Sequence, residues 1–392
     1  MTIPLLPPSS HPLIDSILLT PTPSPISPFL SLEATTHAGR SLFALSAIPA
    51  STLLHSSSSP FASTVLEGEK REVCWNCFKV VERGRWKVRE FLEEGEKGDG
   101  EAIRWFCKES CRNQWREVVG EVGREAVRGG EKALARASKS GKSDRPNGVE
   151  ALGEIVPSLD SEIEEGWTEA MVIGDEIVRR RIFAEGAGEP LWRQRGADAL
   201  LSTDDPDVFR LLISGITSRY HASLLPLPSA WTSLSSLVPS LATNSRAQDS
   251  HIRMYLSLLS TLPVALLSFT TPNTILSILS RDNGNSFGIW SATHDDGSGD
   301  RGELLAYGIY PSSSFFNHSC RPNLVKRRNG QEFEFWTGED GVRERDEACI
   351  SYLGGGEVGG REVRRAKLMV GWGFWCECVR CREEKEEGDE GP

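Results

Sequence analysis

The spacing of its cysteines constrains this chain more than any other feature. Of nine cysteines, seven stand in tight groups: Cys74 and Cys77, Cys107 and Cys111, then Cys376, Cys378 and Cys381. In a reducing compartment such groups mean metal far more often than disulfides. Zn²⁺ takes four soft or borderline ligands in a tetrahedron, with sulfur at ~2.3 Å. Cys74-x2-Cys77 is a knuckle that presents two thiolates to one ion. Cys107-x3-Cys111 sets two more a helical turn apart, on one side of a helix start. Together they predict one four-thiolate site. Cys376-x-Cys378-x2-Cys381 supplies three ligands and needs a fourth. By ligand type the candidates are His318 and Cys320, in the stretch SSSFFNHSCRPN over 312–323. Cys320 completes an all-thiolate site and leaves Asn317 and His318 for a pocket, so we assign Cys320 to metal and expect two zinc ions in all. Cys349, inside the apolar run 348–353, reads as a small buried hydrophobe.

The chain's 392 residues can bury a large core and divide into two or three units. A hydrophobic fraction of 39% with 25% charged residues suits a globular protein. The net charge of −11 argues against a nucleic-acid coat or a membrane-surface binder, whereas an acidic surface would attract lysine-rich protein tails. No apolar run reaches the ~18–20 residues that span a bilayer. Prolines interrupt the apolar N-terminus and no Lys or Arg opens it, so no secretory signal is expected. The default compartment is then cytosol, with access to the nucleus.

Residues 1–27 are rich in Pro and Ser and read as a loosely held arm. FLSLEATT, GRSLFALSAIP and FASTVL carry the Thr, Val and Gly/Pro/Ser punctuation of short strands, giving a first β segment over 28–70. Residues 71–119 hold the first four cysteines, with a Gly- and Glu-rich loop at 93–101. Apolar residues recur at helical spacing through 120–280, with a linker at 138–147. Strand text returns over 281–358 as NSFGIWSAT, ELLAYGIY, FEFWTG and EACISYL. A short helix over 357–372 precedes the last cysteines, which fall in 359–382, and an acidic, frayed tail closes the chain over 383–392. The expected class is α+β, one sheet domain split in sequence by a finger and a helical insertion.

The ordered pieces GRSLFALSAIP, NSFGI, YPSSSFFNHSCRPN, ISYL and CECVRC resemble a SET-domain protein-lysine methyltransferase. The cysteine segment after the first strands resembles a MYND zinc finger, which points to the MYND-SET (SMYD-type) branch. The resemblance implies a SET fold with knot-like C-terminal threading and a post-SET zinc clasp of Cys320, Cys376, Cys378 and Cys381. It further implies that the backbone at Gly39, Arg40 and Ser41 sits against S-adenosylmethionine. Asn285, Ser286, Asn317 and His318 would contact that cofactor, and Phe374 would pack on its adenine. Tyr352 matches the catalytic tyrosine, also beside the cofactor, and Phe287 and Trp372 match aromatics lining a lysine channel. The implied substrate is a lysine-bearing protein, a histone or another, with no direct binding to nucleic acid or membrane.

Four departures stand out. Ser41 takes the place of the second glycine of Gly-x-Gly, which would narrow the approach of backbone to cofactor. Arg345-Asp346-Glu347-Ala348 replaces Gly-Glu-Glu-Leu before the tyrosine. The finger lacks the middle cysteine pair and the terminal His and Cys, so it is expected to bind one zinc instead of two. The sequence also stops just past the last cysteines, without the helical C-terminal domain of animal SMYD proteins. These departures sustain an alternative reading, a catalytically inactive zinc scaffold that binds protein partners.

Overall fold

The computed structural model describes residues 26–35, 39–81, 88–91, 102–139, 160–186, 205–224, 245–291, 302–354 and 359–389. Residues 1–25 of the arm, the loop at 93–101, most of the 138–147 linker and residues 390–392 of the tail lie outside them. Within them the chain is α+β, with small sheets and helices in the anticipated order.

The first strands are β1 (Leu30–Thr35), β2 (Gly39–Ala44), β3 (Leu53–Ser57) and β4 (Ala62–Val65). The finger adds the antiparallel pair β5 (Val88–Phe91) and β6 (Ala102–Phe106). Six helices follow: α1 (Glu109–Lys139), α2 (Asp160–Gly186), α3 (Pro206–Ser223), α4 (Ser245–Thr261), α5 (Val264–Leu267) and α6 (Pro272–Asn285). The chain returns to strands as β7 (Ser286–Trp290), β8 (Leu304–Ile309), β9 (Asn317–His318), β10 (Leu324–Asn329), β11 (Glu332–Thr337) and β12 (Cys349–Ile350). Helices α7 (Arg361–Trp372) and α8 (Val379–Asp389) complete it.

Local signals set the helix ends. Asp205 accepts from the Val208 amide at 3.0 Å with Pro206 following, and Thr271 accepts from the Thr274 amide at 3.2 Å with Pro272 following. Helix α7 stops at Gly373, whose left-handed φ of 75° lets its amide close back on the Met369 carbonyl. Within α1, Gly120 has φ 68° and breaks the helix in two, and a Cβ there would come within 2.9 Å of the His221 ring.

Strands from both sides of the helical insertion share sheets. β11 lies between β10 and β3, with Phe335 opposite His55, and β8 lies between β4 and β7, with Ala62 opposite Ile309. β11 alternates, burying Phe333, Phe335 and Thr337, so one of its faces is core. Phe335 stacks on Phe316 with ring centroids 4.5 Å apart. The finger and insertion are tied by a buried ion cluster. Glu131 of α1 accepts from Arg104 of β6 at 2.7 Å and from Arg210 of α3 at 2.8 and 3.0 Å, and Arg210 also meets Glu67 at 2.5 Å.

Two expectations change. The strand anticipated over EACISYL shrinks to Cys349–Ile350, paired in parallel with β9. Side chains take the bonds that a longer strand would use. Asn323 donates to the Glu347 carbonyl at 2.8 Å and accepts from the Cys349 amide at 2.9 Å, while the Tyr352 amide donates to His318. The acidic tail is also not frayed as far as Asp389, since it continues α8. Glu384 there meets Arg364 at 2.5 Å and Arg380 at 2.7 Å.

Candidate functional site

The two cysteine sets converge as two clusters. In each of Cys74/Cys77/Cys107/Cys111 and Cys320/Cys376/Cys378/Cys381, the four sulfurs lie within 4.8 Å of one another. Four sulfurs at ~2.3 Å from one ion would form a tetrahedron with edges of about 3.8 Å. Observed separations are 3.7 Å for Cys77–Cys107, 3.5 Å for Cys107–Cys111, 3.9 Å for Cys320–Cys376 and 3.6 Å for Cys320–Cys381. The donor sets therefore fit a tetrahedral thiophilic cation such as Zn²⁺. Crowding also splits the thiols. A hydrogen bond from Cys77 holds Cys74 down at about 5 while that contact pushes Cys77 up, and hydrogen bonding with Cys320, then with each other, lowers Cys378 and raises Cys376. A shared dication removes that conflict by stabilising every thiolate at once. Cys349 stands apart, buried, with its thiol raised by desolvation.

Beside the second cluster lies a cavity of about 200 Å³. Phe287, Tyr352 and Trp372 all line it, together with Asn285 and Ser286. β7 presents Phe287 where it packs on Tyr310, Phe333 and Phe335, and α7 delivers Trp372 at its last position. Tyr352 faces Trp372 with centroids 5.4 Å apart and Phe374 edge-on at 6.3 Å. Its hydroxyl donates to the Phe316 carbonyl at 3.0 Å, and burial pushes the phenol upward, so it stays protonated. Ser286 donates to Asp282, whose carboxyl is raised by burial to about 6.

Gly39, Arg40, Ser41, Asn317, His318 and Phe374 lie outside the lining of this cavity. Gly39, at φ 68°, opens onto space, with nothing within 4 Å of where a Cβ would stand. The Asn317 amide donates to the Arg40 carbonyl at 3.1 Å, to the Ser41 hydroxyl at 3.0 Å and to the Glu347 carboxylate at 3.2 Å. Ser41 is fully buried and its hydroxyl also donates to Glu347. The Ser41 hydroxyl is therefore turned into a polar knot with Asn317 and Glu347.

His318 is buried, and burial holds its imidazole down at about 4, hence neutral. Nδ1 accepts from the Tyr352 amide at 3.1 Å and Nε2 lies 3.3 Å from the Cys320 sulfur. Both ring nitrogens are thus engaged within the protein.

The sequence reading missed several neighbours of this region. Glu347 was noted only as part of a replaced motif, yet it joins Ser41 to Asn317. Tyr307, Phe316 and Lys326 also line the cavity. The Lys326 ammonium lies 5.4 Å from the Phe287 ring centroid and 5.7 Å from that of Phe333. Alternation along β10, with Leu324 and Arg328 buried, could have placed Lys326 on the inner face.

No family model matches the chain. Among curated proteins, it is 24% identical to the potential protein lysine methyltransferase SET6 of Saccharomyces cerevisiae, across 92% of this chain and 96% of that protein. It is 30% identical to the histone-lysine N-methyltransferase ASHR2 of Arabidopsis thaliana, across 52% of this chain and 53% of that protein. A SET and MYND domain-containing protein of Dictyostelium discoideum is 38% identical, across 27% of this chain and 20% of its own length. No helix among the described residues is long and apolar enough to cross a membrane. A MYND-like cysteine cluster inserted between strands that share sheets accompanies this similarity to lysine methyltransferases and to SET and MYND domain-containing proteins.

Proposed function

We propose that the chain is an S-adenosylmethionine-dependent protein-lysine N-methyltransferase. It would act on a histone or another protein lysine, in the nucleus or cytoplasm. The observation that carries this reading is the convergence of Phe287, Tyr352 and Trp372 on one aromatic-walled cavity. The relatives' names, which include histone-lysine methyltransferases, point to the same substrate class.

The bound cofactor supplies a sulfonium methyl group, the electrophile of the reaction. The residues present fit it. Three features suit it: the open space beside Gly39, the Asn285–Ser286 segment on the cavity lining and the Phe374 ring near Tyr352. Asn317 would help to shape that cradle by holding the Arg40 carbonyl and the Ser41 hydroxyl. His318, with its ring committed, would meet the cofactor through its backbone.

A lysine in water has a pKa of ~10.4 and is mostly charged at neutral pH. Phe287 and Trp372 would draw the incoming cation by their ring faces, and desolvation between them would favour the neutral amine. Its proton leaves to water, so no general-base histidine is needed. Because the Tyr352 proton is directed to the Phe316 carbonyl, the phenol oxygen would be left with lone pairs to accept from a substrate amine N–H. The role of Tyr352 is alignment of the amine for in-line attack.

Incubation of the chain with labelled S-adenosylmethionine, a histone panel and cell extract tests the reading, with Tyr352→Phe as control. We expect label on a protein lysine with wild type and little with the variant. Absence of both cofactor binding and transfer would favour the scaffold.

A further inference from the structure

One imidazole spans the distance between the second cysteine cluster and the cavity. The Tyr352 backbone nitrogen, 3.1 Å from His318 Nδ1, is a donor, so Nδ1 must be the acceptor. The single proton of the neutral ring then sits on Nε2, directed at the Cys320 sulfur 3.3 Å away. That sulfur is a corner of the cluster, 3.9 Å from Cys376 and 3.6 Å from Cys381. The ring is fixed by packing as well. It is buried, with Tyr352 at 5.4 Å and Phe374 at 6.4 Å between centroids.

A thiolate bound to a metal accepts hydrogen bonds, and a donor aimed at it orients the ligand and stabilises its charge. We propose that His318 is a positioning residue that couples metal occupancy of the Cys320 cluster to the backbone at Tyr352. Metal fixes the Cys320 sulfur, the sulfur fixes Nε2–H, and the rigid ring passes that constraint to the Tyr352 amide. The Tyr352 side chain then enters the cavity from an anchored main chain. Coupling of this kind is reciprocal, so an ordered Tyr352 also favours metal at the cluster. The proposal stands on these two bonds and does not depend on which reaction the cavity performs.

Three substitutions separate the two bonds. His318→Asn keeps a carbonyl oxygen near the position of Nδ1, and so an acceptor for Tyr352. His318→Gln reaches to the position of Nε2, and so keeps a donor for Cys320. His318→Leu keeps neither. Two quantities are measured on the full chain: zinc affinity by chelator competition, and hydrogen–deuterium exchange in the peptide carrying Tyr352. The zinc of the Cys74 cluster is the internal reference, and Cys378→Ser identifies which release phase belongs to the second cluster.

His318→Asn should weaken zinc at the second cluster by about 10- to 100-fold and leave Tyr352 protected at saturating zinc. His318→Gln should hold zinc affinity near wild type while the Tyr352 amide exchanges about tenfold faster or more. Stripping zinc from wild type should accelerate the same amide and should add nothing in His318→Leu. Equal losses in all three variants would reduce His318 to packing and overturn the proposal. Wild-type zinc affinity and Tyr352 protection in His318→Leu would overturn it too. If that variant does not fold, the opposite behaviour of the Asn and Gln variants still decides the matter.

Discussion

The hydroxyl of Tyr352 and the carbonyl of Phe316 are joined by a hydrogen bond of 3.0 Å, so the phenol that lines the cavity is held by the backbone just before Asn317. Tyr352→Phe removes that bond along with the hydroxyl. We expect a stability loss of about 1 kcal/mol, a far larger fall in turnover and retained binding of S-adenosylhomocysteine. Thermal melting, calorimetric titration and a transfer assay on one preparation separate these effects. A fully active variant on a verified substrate would remove Tyr352 from the chemistry.

Purified protein should carry two zinc ions, one per cluster. Cys378→Ser should lose one of them and bind cofactor less tightly, although no cofactor role attaches to Cys378 itself. The cluster anchors the segment bearing Trp372 and Phe374, and the backbone amide of Cys320 points at the Cys378 sulfur at 3.4 Å. Metal analysis beside calorimetry checks both halves. Unchanged cofactor affinity after loss of that zinc would show that the wall is held by other contacts.

Ser41→Ala should destabilise the fold by about 1–3 kcal/mol, since a fully buried hydroxyl that donates to Glu347 and accepts from Asn317 disappears. Ser41→Gly, which restores the glycine of the resembled motif, should do no better. A melting temperature equal to wild type in either variant would contradict the polar knot.

Glu131→Gln should cost about 3–5 kcal/mol by leaving two buried arginines without their shared carboxylate. Burial by itself would raise the Glu131 carboxyl, but Arg104 and Arg210 overcome it and hold it at about 2, against an ordinary 4.5. A carboxyl lowered on folding contributes fully above its unfolded value, and that contribution is lost as pH falls through the folded one. The difference between wild type and variant should therefore be complete at neutral pH and shrink as pH drops from about 4.5 to about 2. Denaturant titrations across that range read it directly, and a difference that grows on acidification would refute the assignment.

What could be read in advance was whatever repeats or clusters locally. Cys74-x2-Cys77 and Cys376-x-Cys378-x2-Cys381 announce metal from spacing alone, and strands such as NSFGI announce themselves by composition. Phe287, Tyr352 and Trp372 were legible through the motifs around them, and the structure brings them to one cavity. The Ser41–Glu347 bond was not legible, because its partners lie 306 positions apart and neither is unusual in its own neighbourhood. The same holds for Glu131, one acidic residue among many on a long helix, whose importance comes from two arginines on other elements. The strand at 347–353 was overestimated because propensity cannot foresee that the side chains of Asn323 and His318 will claim its backbone groups.

The pairing of β3 with β11 and of β4 with β8 has a consequence for how the chain is made. On a ribosome the N-terminal strands emerge long before their neighbours, and the finger and helices must be synthesised in between. The helices, built from near-neighbour contacts, can form during that interval, whereas the central sheets must wait for the last third of the chain. Until then β3 and β4 carry exposed edges and apolar faces with no sheet to join. Nascent chains arrested before β8 should therefore bind chaperones and be cut by protease near β3 and β4, and release of the full chain should end both.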